Sequence, residues 1–233
     1  MEPLTTFRKS LSTLTTETLF LLRDPNGERF SSSRIYEKLN ERCLDFCLKS
    51  QLIKEEINCI MAKNQFEIDV KRLAEEAATL RYYAFPIRVG YDGANGVGIM
   101  PGSLLSIDLK GYSRAESMMP SIWYLCAVSP GKIQILGPMQ AAGTASPSES
   151  GNIQVTYIAM PTPMSAVGDY PDTIPSYFHK YLPYGAAALI LEEGDKDDLA
   201  LADFYELEFQ RGILEQVAED YRGRTPYDDC RPM

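Results

Sequence analysis

One histidine, five cysteines and a short run of carboxylates carry most of the reactive chemistry this chain could offer. His179 would need a nucleophile and an orienting acid nearby to act as a general base. The chain contains no Gly-x-Ser-x-Gly elbow to supply that nucleophile, so His179 reads as a residue on the surface or interface of a helical bundle. The cysteines (Cys43, Cys47, Cys59, Cys126 and Cys230) are odd in number and form no Cys-x-x-Cys pair. Cys43 and Cys47 stand four apart and share a helix face, but further nitrogen and sulfur ligands for a soft metal are missing. They read as small buried hydrophobes beside Leu39 and Phe46. All five thiols are expected to be free, in a reducing compartment.

Two further constellations lose their chemistry on context. The spacing Gly93-x-x-Gly96-x-Gly98 suggests a phosphate loop, yet no Gly-Lys-Ser/Thr follows and Pro101-Gly102 stands where a helix should begin. Gly90 to Gly98 is expected to be a glycine-dense structural loop. Glu192, Glu193, Asp195, Asp197 and Asp198 lack the alternation of a calcium loop. Asp195, Asp197 and Asp198 lie where the N-terminus of a following helix favours negative charge, so the cluster reads as helix capping. The expectation is a protein that is not an enzyme, with no catalytic residue, metal or cofactor.

The elements that would position these residues are mostly helical at the two ends. Residues 12–23 predict a first helix, capped by Thr15 or Thr16 and stopped by Asp24-Pro25-Asn26-Gly27. Ser31-Ser32-Ser33 opens a second helix with the apolar face Ile35, Leu39, Cys43 and Phe46. Ile174 to Glu193 predicts a third helix, in which the small residues Gly185 to Ala188 allow a neighbour to approach closely. After a Gly194-Asp195 turn, Ala202, Tyr205, Phe209, Ile213, Val217 and Tyr221 recur at steps of three and four along a fourth.

Between these ends the pattern turns β-branched and aromatic. Leu104–Leu109, Ile122–Val128, Lys132–Leu136 and Ile153–Ile158 predict strands, with a Ser129-Pro130-Gly131 turn between two of them. Gln65–Ile68 and Tyr82–Val89 fit strands as well, and Val70–Leu80 has helical composition. Gln140 to Asn152 is small and polar, which predicts a flexible hairpin tip. Trp123 and Tyr124 are either core or sheet-face residues, or an exposed contact surface. The fold class is α+β: a four-helix bundle from N- and C-terminal helical hairpins with an inserted antiparallel β-rich module. The expected domains are bundle helices at 1–60, the β-rich insert at 61–170, the closing hairpin at 171–221 and an extended tail at 222–233. The expected bundle core is Ile35, Leu39, Phe46, Tyr205, Phe209, Ile213 and Val217.

The 233 residues carry a formal charge of −9, which argues against tight binding to a phosphate backbone. No apolar run approaches the roughly 18 residues that cross a membrane, and the N-terminal residues lack the layout of a signal peptide. A soluble intracellular protein is expected.

Three segments resemble the head-to-tail adaptor (connector) proteins of tailed bacteriophages, including the tail tubular protein A group. They are Leu22 to Glu41, Trp123 to Pro138 with Val155 to Pro161, and Ile174-Pro175 with the small-residue helix, the acidic turn and Ala202-Asp203-Phe204-Tyr205. Together they touch about half the chain, and their specificity lies in order and spacing. The chain departs from the family at Tyr83-Ala84-Phe85-Pro86, where a Tyr-x-Leu-Pro strand start is usual. The resemblance implies a structural virion protein of the neck, first present in host cytoplasm during assembly. It implies a self-assembled ring, commonly of twelve copies, between the portal protein and a tail or nozzle protein. DNA would pass through its lumen without sequence-specific binding. A stopper, tail-hub or other tail-completion protein is the alternative, and a soluble hydrolase a distant third. The tail after Tyr221 would be disordered alone or would order on a partner, which makes Arg222, Arg224, Tyr227 and Arg231 the candidates for portal docking.

Overall fold

The ends of the chain and its middle fold separately, as the change of pattern along the sequence requires. The structure, a computed structural model, describes residues 8–61, 67–77, 83–91, 97–101, 122–125, 131–136, 151–194 and 198–223. It is a mixed α+β protein. Of the described residues, 8–53 and 161–223 make one compact unit, and those between Lys54 and Met160 make the other. The junctions therefore fall earlier than the expected 60/61 and 170/171. Helix α2 ends in the left-handed residue Gln51, and the first strand starts three residues later.

In the helical unit, α1 (Leu11–Leu21) is capped by Ser10, whose Oγ accepts the Thr13 N–H at 3.3 Å. The cap expected at Thr15 or Thr16 is not used. Both hydroxyls lie inside the helix and donate to carbonyls four residues back, Leu11 and Ser12. Asp24 stops the helix and organises the turn, its carboxylate accepting the N–H groups of Glu28, Arg29 and Phe30 at 2.9–3.0 Å. Ser31 then caps α2 (Ser32–Ser50), accepting the Arg34 N–H at 3.4 Å. The helix expected from Ile174 is divided: Ser176–Tyr181 winds as a 3-10 turn, and α4 runs Leu182–Glu192. Pro183 sits in the first turn of α4, where a missing N–H costs nothing. The last helix, α5, runs Leu199–Gly223, so Arg222 belongs to the helix and not to an extended tail.

Helix α4 packs against α1, α2 and α5, and two glycines set how closely. A Cβ on Gly185 would lie 2.7 Å from Phe209 Cδ2 and 3.0 Å from Arg42 Cγ. A Cβ on Gly212 would lie 2.5 Å from the Tyr181 ring. Arg42 is buried at the same junction. Its Nε donates to the Gly185 carbonyl at 3.0 Å, its Nη2 pairs with Glu206 at 2.6 Å, and its guanidinium covers the Phe209 ring at 4.9 Å. Ile35, Leu39, Phe46, Tyr205, Phe209 and Ile213 are buried. Val217 is only half-buried. Gln216 takes the inward position in its place, because seven residues beyond Phe209 the 3.6-residue period returns to nearly the same direction.

In the second unit the strands are β1 (Lys54–Met61), β2 (Glu67–Asp69), β3 (Tyr83–Tyr91), β4 (Val97–Pro101), β5 (Ile122–Leu125), β6 (Lys132–Leu136) and β7 (Gly151–Ala159), with helix α3 (Val70–Glu76) after β2. They pair in the order β1-β7-β3-β4-β5-β6-β2, antiparallel except for a two-residue parallel contact between β4 and β5. Ile153, Val155 and Tyr157 are buried while Gln154 is exposed, the alternation a pleat demands. The Tyr157 hydroxyl donates to Glu55 across the β1–β7 pair at 2.9 Å. The expected loop from Gly90 to Gly98 is shorter than its glycine content suggests, since Gly90 and Gly98 are cross-strand partners in the β3–β4 pair. Two glycines facing each other add no side chain but keep both ladder groups. The expected strand Leu104–Leu109 and residues 140–150 of the expected tip Gln140 to Asn152 lie outside the described residues, while Gly151 and Asn152 already belong to β7.

Candidate interaction surface

Helix α5 carries two apolar stripes, and only one of them is buried among the described residues. The inner stripe is Ala202, Tyr205, Phe209 and Ile213, all buried. The outer one is Phe204, Leu207 and Leu214, which are 54%, 68% and 68% exposed. Exposed Ala200, Arg211 and Ala218 fill the remaining positions of that outer row. Its steps of four and three residues give the heptad spacing of a helix–helix seam. Contiguous exposed apolar side chains of this size mark a contact surface.

Charges are fixed along one flank of the seam. Glu215 accepts hydrogen bonds from the Tyr181 hydroxyl at 2.6 Å and from Arg211 Nε at 3.0 Å. These two donors, Tyr181 first, hold its carboxyl below the usual glutamate range. Burial, and then the bond to Glu215, push the Tyr181 phenol up to about 12. Arg211 also lies 3.7 Å from Glu208, so one cation sits between two glutamates, three residues after the first and four before the second.

Beside the seam, a groove of about 570 Å³ opens between α1, the start of α4 and α5. Tyr181, Pro183 and Tyr184 line it from the α4 side, Phe20 and Leu21 from α1, and Glu208 and Arg211 from α5. Phe20 is 76% exposed. On the α1 side Lys9 and Glu17 form an ion pair at 2.7 Å. Aromatic lining with charged edges suits an amphipathic helix or peptide. No histidine or cysteine lines this groove.

No protein-family model matches the chain, and no curated protein sequence matches it. What the surface does must therefore follow from its own chemistry.

The residues singled out by type fall elsewhere. His179 is buried, not on a bundle surface. Its Nδ1 accepts the Lys9 N–H at 3.2 Å, and its Nε2 lies 2.8 Å from the Ile174 carbonyl, to which it donates in the neutral tautomer. Burial, the largest influence, lowers its pKa. The imidazole is thus a structural clasp between the 3-10 turn and the start of α1. Cys43 and Cys47 are buried, and burial pushes the Cys43 thiol up. Burial also raises the Cys59 thiol, to about 11. Cys43 and Cys59 are therefore poor nucleophiles at neutral pH.

Glu193 is the C-cap residue of α4, and its carboxylate turns to α2. It pairs with Arg34 and with Lys38, the latter at 2.8 Å, and so ties the end of α4 to α2. Asp195 and Asp197 lie outside the described residues. Among the described residues no three His, Cys, Asp or Glu side chains converge as metal ligands, and no helix is long and apolar enough to cross a membrane. The side chains of Trp123, Tyr124 and Arg222, and all of Arg224, Tyr227 and Arg231, fall outside what is described. Sequence reasoning missed Phe20, Arg42 and the outer seam. Of these, only the seam had a signal, the seven-residue repeat of Leu207 and Leu214 beside Phe204.

Proposed function

We propose that this chain is a structural virion protein, a head-to-tail adaptor of a tailed bacteriophage. In this reading α1, α2, α4 and α5 form the four-helix bundle of that family, and residues 54–160 are its inserted β module. The observation that carries the reading is the discontinuous helical unit. Both ends of the chain contribute to one compact body, while the segment between them forms a second one. Copies assemble as a ring, commonly of twelve, in the neck of the virion between the portal protein and a tail or nozzle protein. A ring of one-way contacts needs two different complementary faces on each copy, and the groove above Tyr181 and Tyr184 supplies one concave face. The charge of −9 per copy suits a channel through which DNA slides without sticking. The role is not enzymatic and needs no cofactor.

Arg222, at the end of α5, and Arg224, Tyr227 and Arg231 beyond it are the proposed portal contacts. The test is electron microscopy of the chain mixed with the portal protein from the same genome, alongside a chain lacking residues 224–233. The full chain should form a ring on the portal and the truncated chain should not. A full chain that ignores the portal refutes the adaptor assignment. Undiminished attachment of the truncated chain refutes the docking role of the tail.

A further inference from the structure

We infer that His179 is a proton-operated latch, which fixes the residues just ahead of α1 while the ring is neutral and releases them when it is protonated. The ring makes two bonds of opposite sense. Its Nδ1 must accept, because the Lys9 backbone N–H points at it from 3.2 Å. Its Nε2 must donate, because it lies 2.8 Å from the Ile174 carbonyl. Only the neutral ring does both, since an imidazolium carries hydrogen on each nitrogen and accepts nothing. A second proton therefore turns the Lys9 contact from a hydrogen bond into two N–H groups facing each other. The residue is 1% exposed, so water cannot replace the lost bond while the latch stays shut.

The charges around the ring push the same way. Those that act on it are Arg8 and Lys9, and both are cations. The carboxylates of the neighbouring elements are engaged elsewhere or face water. Glu17 of α1 pairs with the Lys9 ammonium at 2.7 Å. In the segment 161–175, Asp169 accepts the N–H groups of Ser165 and Ala166 at 2.7 Å, and Asp172 is exposed. On α5, Glu215 and Glu219 take the hydroxyls of Tyr181 and Tyr177. On α2, the Cys47 thiol meets the Thr173 hydroxyl. Lys180, next to the histidine, lies over the Tyr181 ring at 4.7 Å. An imidazolium at this place would gain cations as neighbours and lose a backbone partner.

The release is confined to a short stretch. Leu11 and Leu14 are fully buried. The N–H groups of Leu11 and Ser12 bond to the carbonyls of Asp169 and Val167, and the Leu14 N–H bonds to the Ser10 carbonyl. None of these bonds uses the ring, so α1 stays docked when the latch opens, and the hinge falls between Lys9 and Ser10. The freed residues keep only surface contacts, Arg8 over the Tyr170 ring at 5.8 Å and the Lys9–Glu17 pair, and such contacts hold weakly. Lys9 also lines the groove between α1 and α4, so the latch decides whether that edge of the groove is fixed. The adaptor assignment is not needed for this device.

The test follows single amides of the full chain by nuclear magnetic resonance from about pH 7.5 to about pH 5, a range that spans the ordinary histidine value. Exchange rates are corrected for the intrinsic effect of pH. Exchange at the Lys9 amide should rise by up to about tenfold per pH unit below about pH 6.5, while the Thr18 amide inside α1 keeps its protection. The chain has one histidine, so its ring nitrogen signals report protonation without ambiguity. Their midpoint should coincide with that of the Lys9 release. His179→Gln can accept from Lys9 and donate to Ile174 but does not titrate, so it should hold Lys9 across the whole range. A variant that leaves Lys9 unprotected throughout would still support the ring as its anchor, and the two midpoints of the parent then decide. Lys9 exchange that ignores pH, a midpoint apart from that of the ring, or joint loss of protection at Lys9 and Thr18 would each overturn the latch. So would a His179→Gln chain, folded by circular dichroism, that releases Lys9 in acid as the parent does.

Discussion

Replacing Gly185 with alanine tests the close approach of α4, α5 and α2 directly. In an exposed helix interior, Gly→Ala stabilises by about 1 kcal/mol, because alanine has less backbone freedom to lose. At Gly185 the new Cβ would lie 2.7 Å and 2.9 Å from Phe209 Cδ2 and Cγ, and 3.0 Å from Arg42 Cγ. These are not the loose ends of flexible side chains. Cγ is the root of the Phe209 ring, and that ring is fully buried, 6.2 Å from the Phe46 ring and beneath the Arg42 guanidinium. Overpacking of this kind costs about 1–3 kcal/mol, and any shift of Arg42 also strains its bond to the Gly185 carbonyl. The expected net loss is up to about 2 kcal/mol after subtracting the propensity gain. Urea unfolding followed by far-ultraviolet circular dichroism reads it as a lower midpoint on the helical signal. The same substitution in a Phe209→Leu background should be neutral or stabilising, since the clashing ring is gone. A midpoint that rises in the parent, or an identical change in both backgrounds, refutes the packing argument.

Two other substitutions probe buried polar groups. Arg42→Ala removes the guanidinium that pairs with Glu206 and bonds the Gly185 carbonyl while Glu206 keeps its bond from Gln210, and should cost about 1.5–3 kcal/mol of unfolding free energy in urea. Arg42→Met keeps the aliphatic stem, whose Cγ lies beside Gly185, and should cost less, so equal losses would contradict a role for the stem. His179 should make stability fall in mild acid. Its folded pKa is depressed, chiefly by burial, so its contribution is complete above the unfolded value near 6.5. It is lost as pH falls through the folded value, at up to about 1.4 kcal/mol per pH unit. The His179→Gln variant keeps a donor and an acceptor but does not titrate. Its urea midpoint should therefore change less between neutral pH and about pH 5, and an unchanged slope would rule out the histidine as the source.

The parts of the fold visible in the sequence are those that a few neighbouring residues decide. The inner stripe of α5 is readable because large apolar residues three and four apart face one way whatever they meet. Ser31 is readable as a cap for the same local reason, and so is the close approach permitted by Gly185. Arg42 is different. Its burial depends on a carbonyl 143 residues away and a carboxylate on a third helix, and no local pattern reports either. His179 is buried because the N–H of Lys9, 170 residues earlier, and the Ile174 carbonyl satisfy both ring nitrogens. A polar residue can move from surface to core on the strength of such distant partners alone. The outer seam shows the opposite failure, because its repeat is local and legible. A helix assigned one apolar face by its strongest stripe leaves its second stripe looking like ordinary surface. Only the burial of the first shows that the second has no partner within the described residues of its unit.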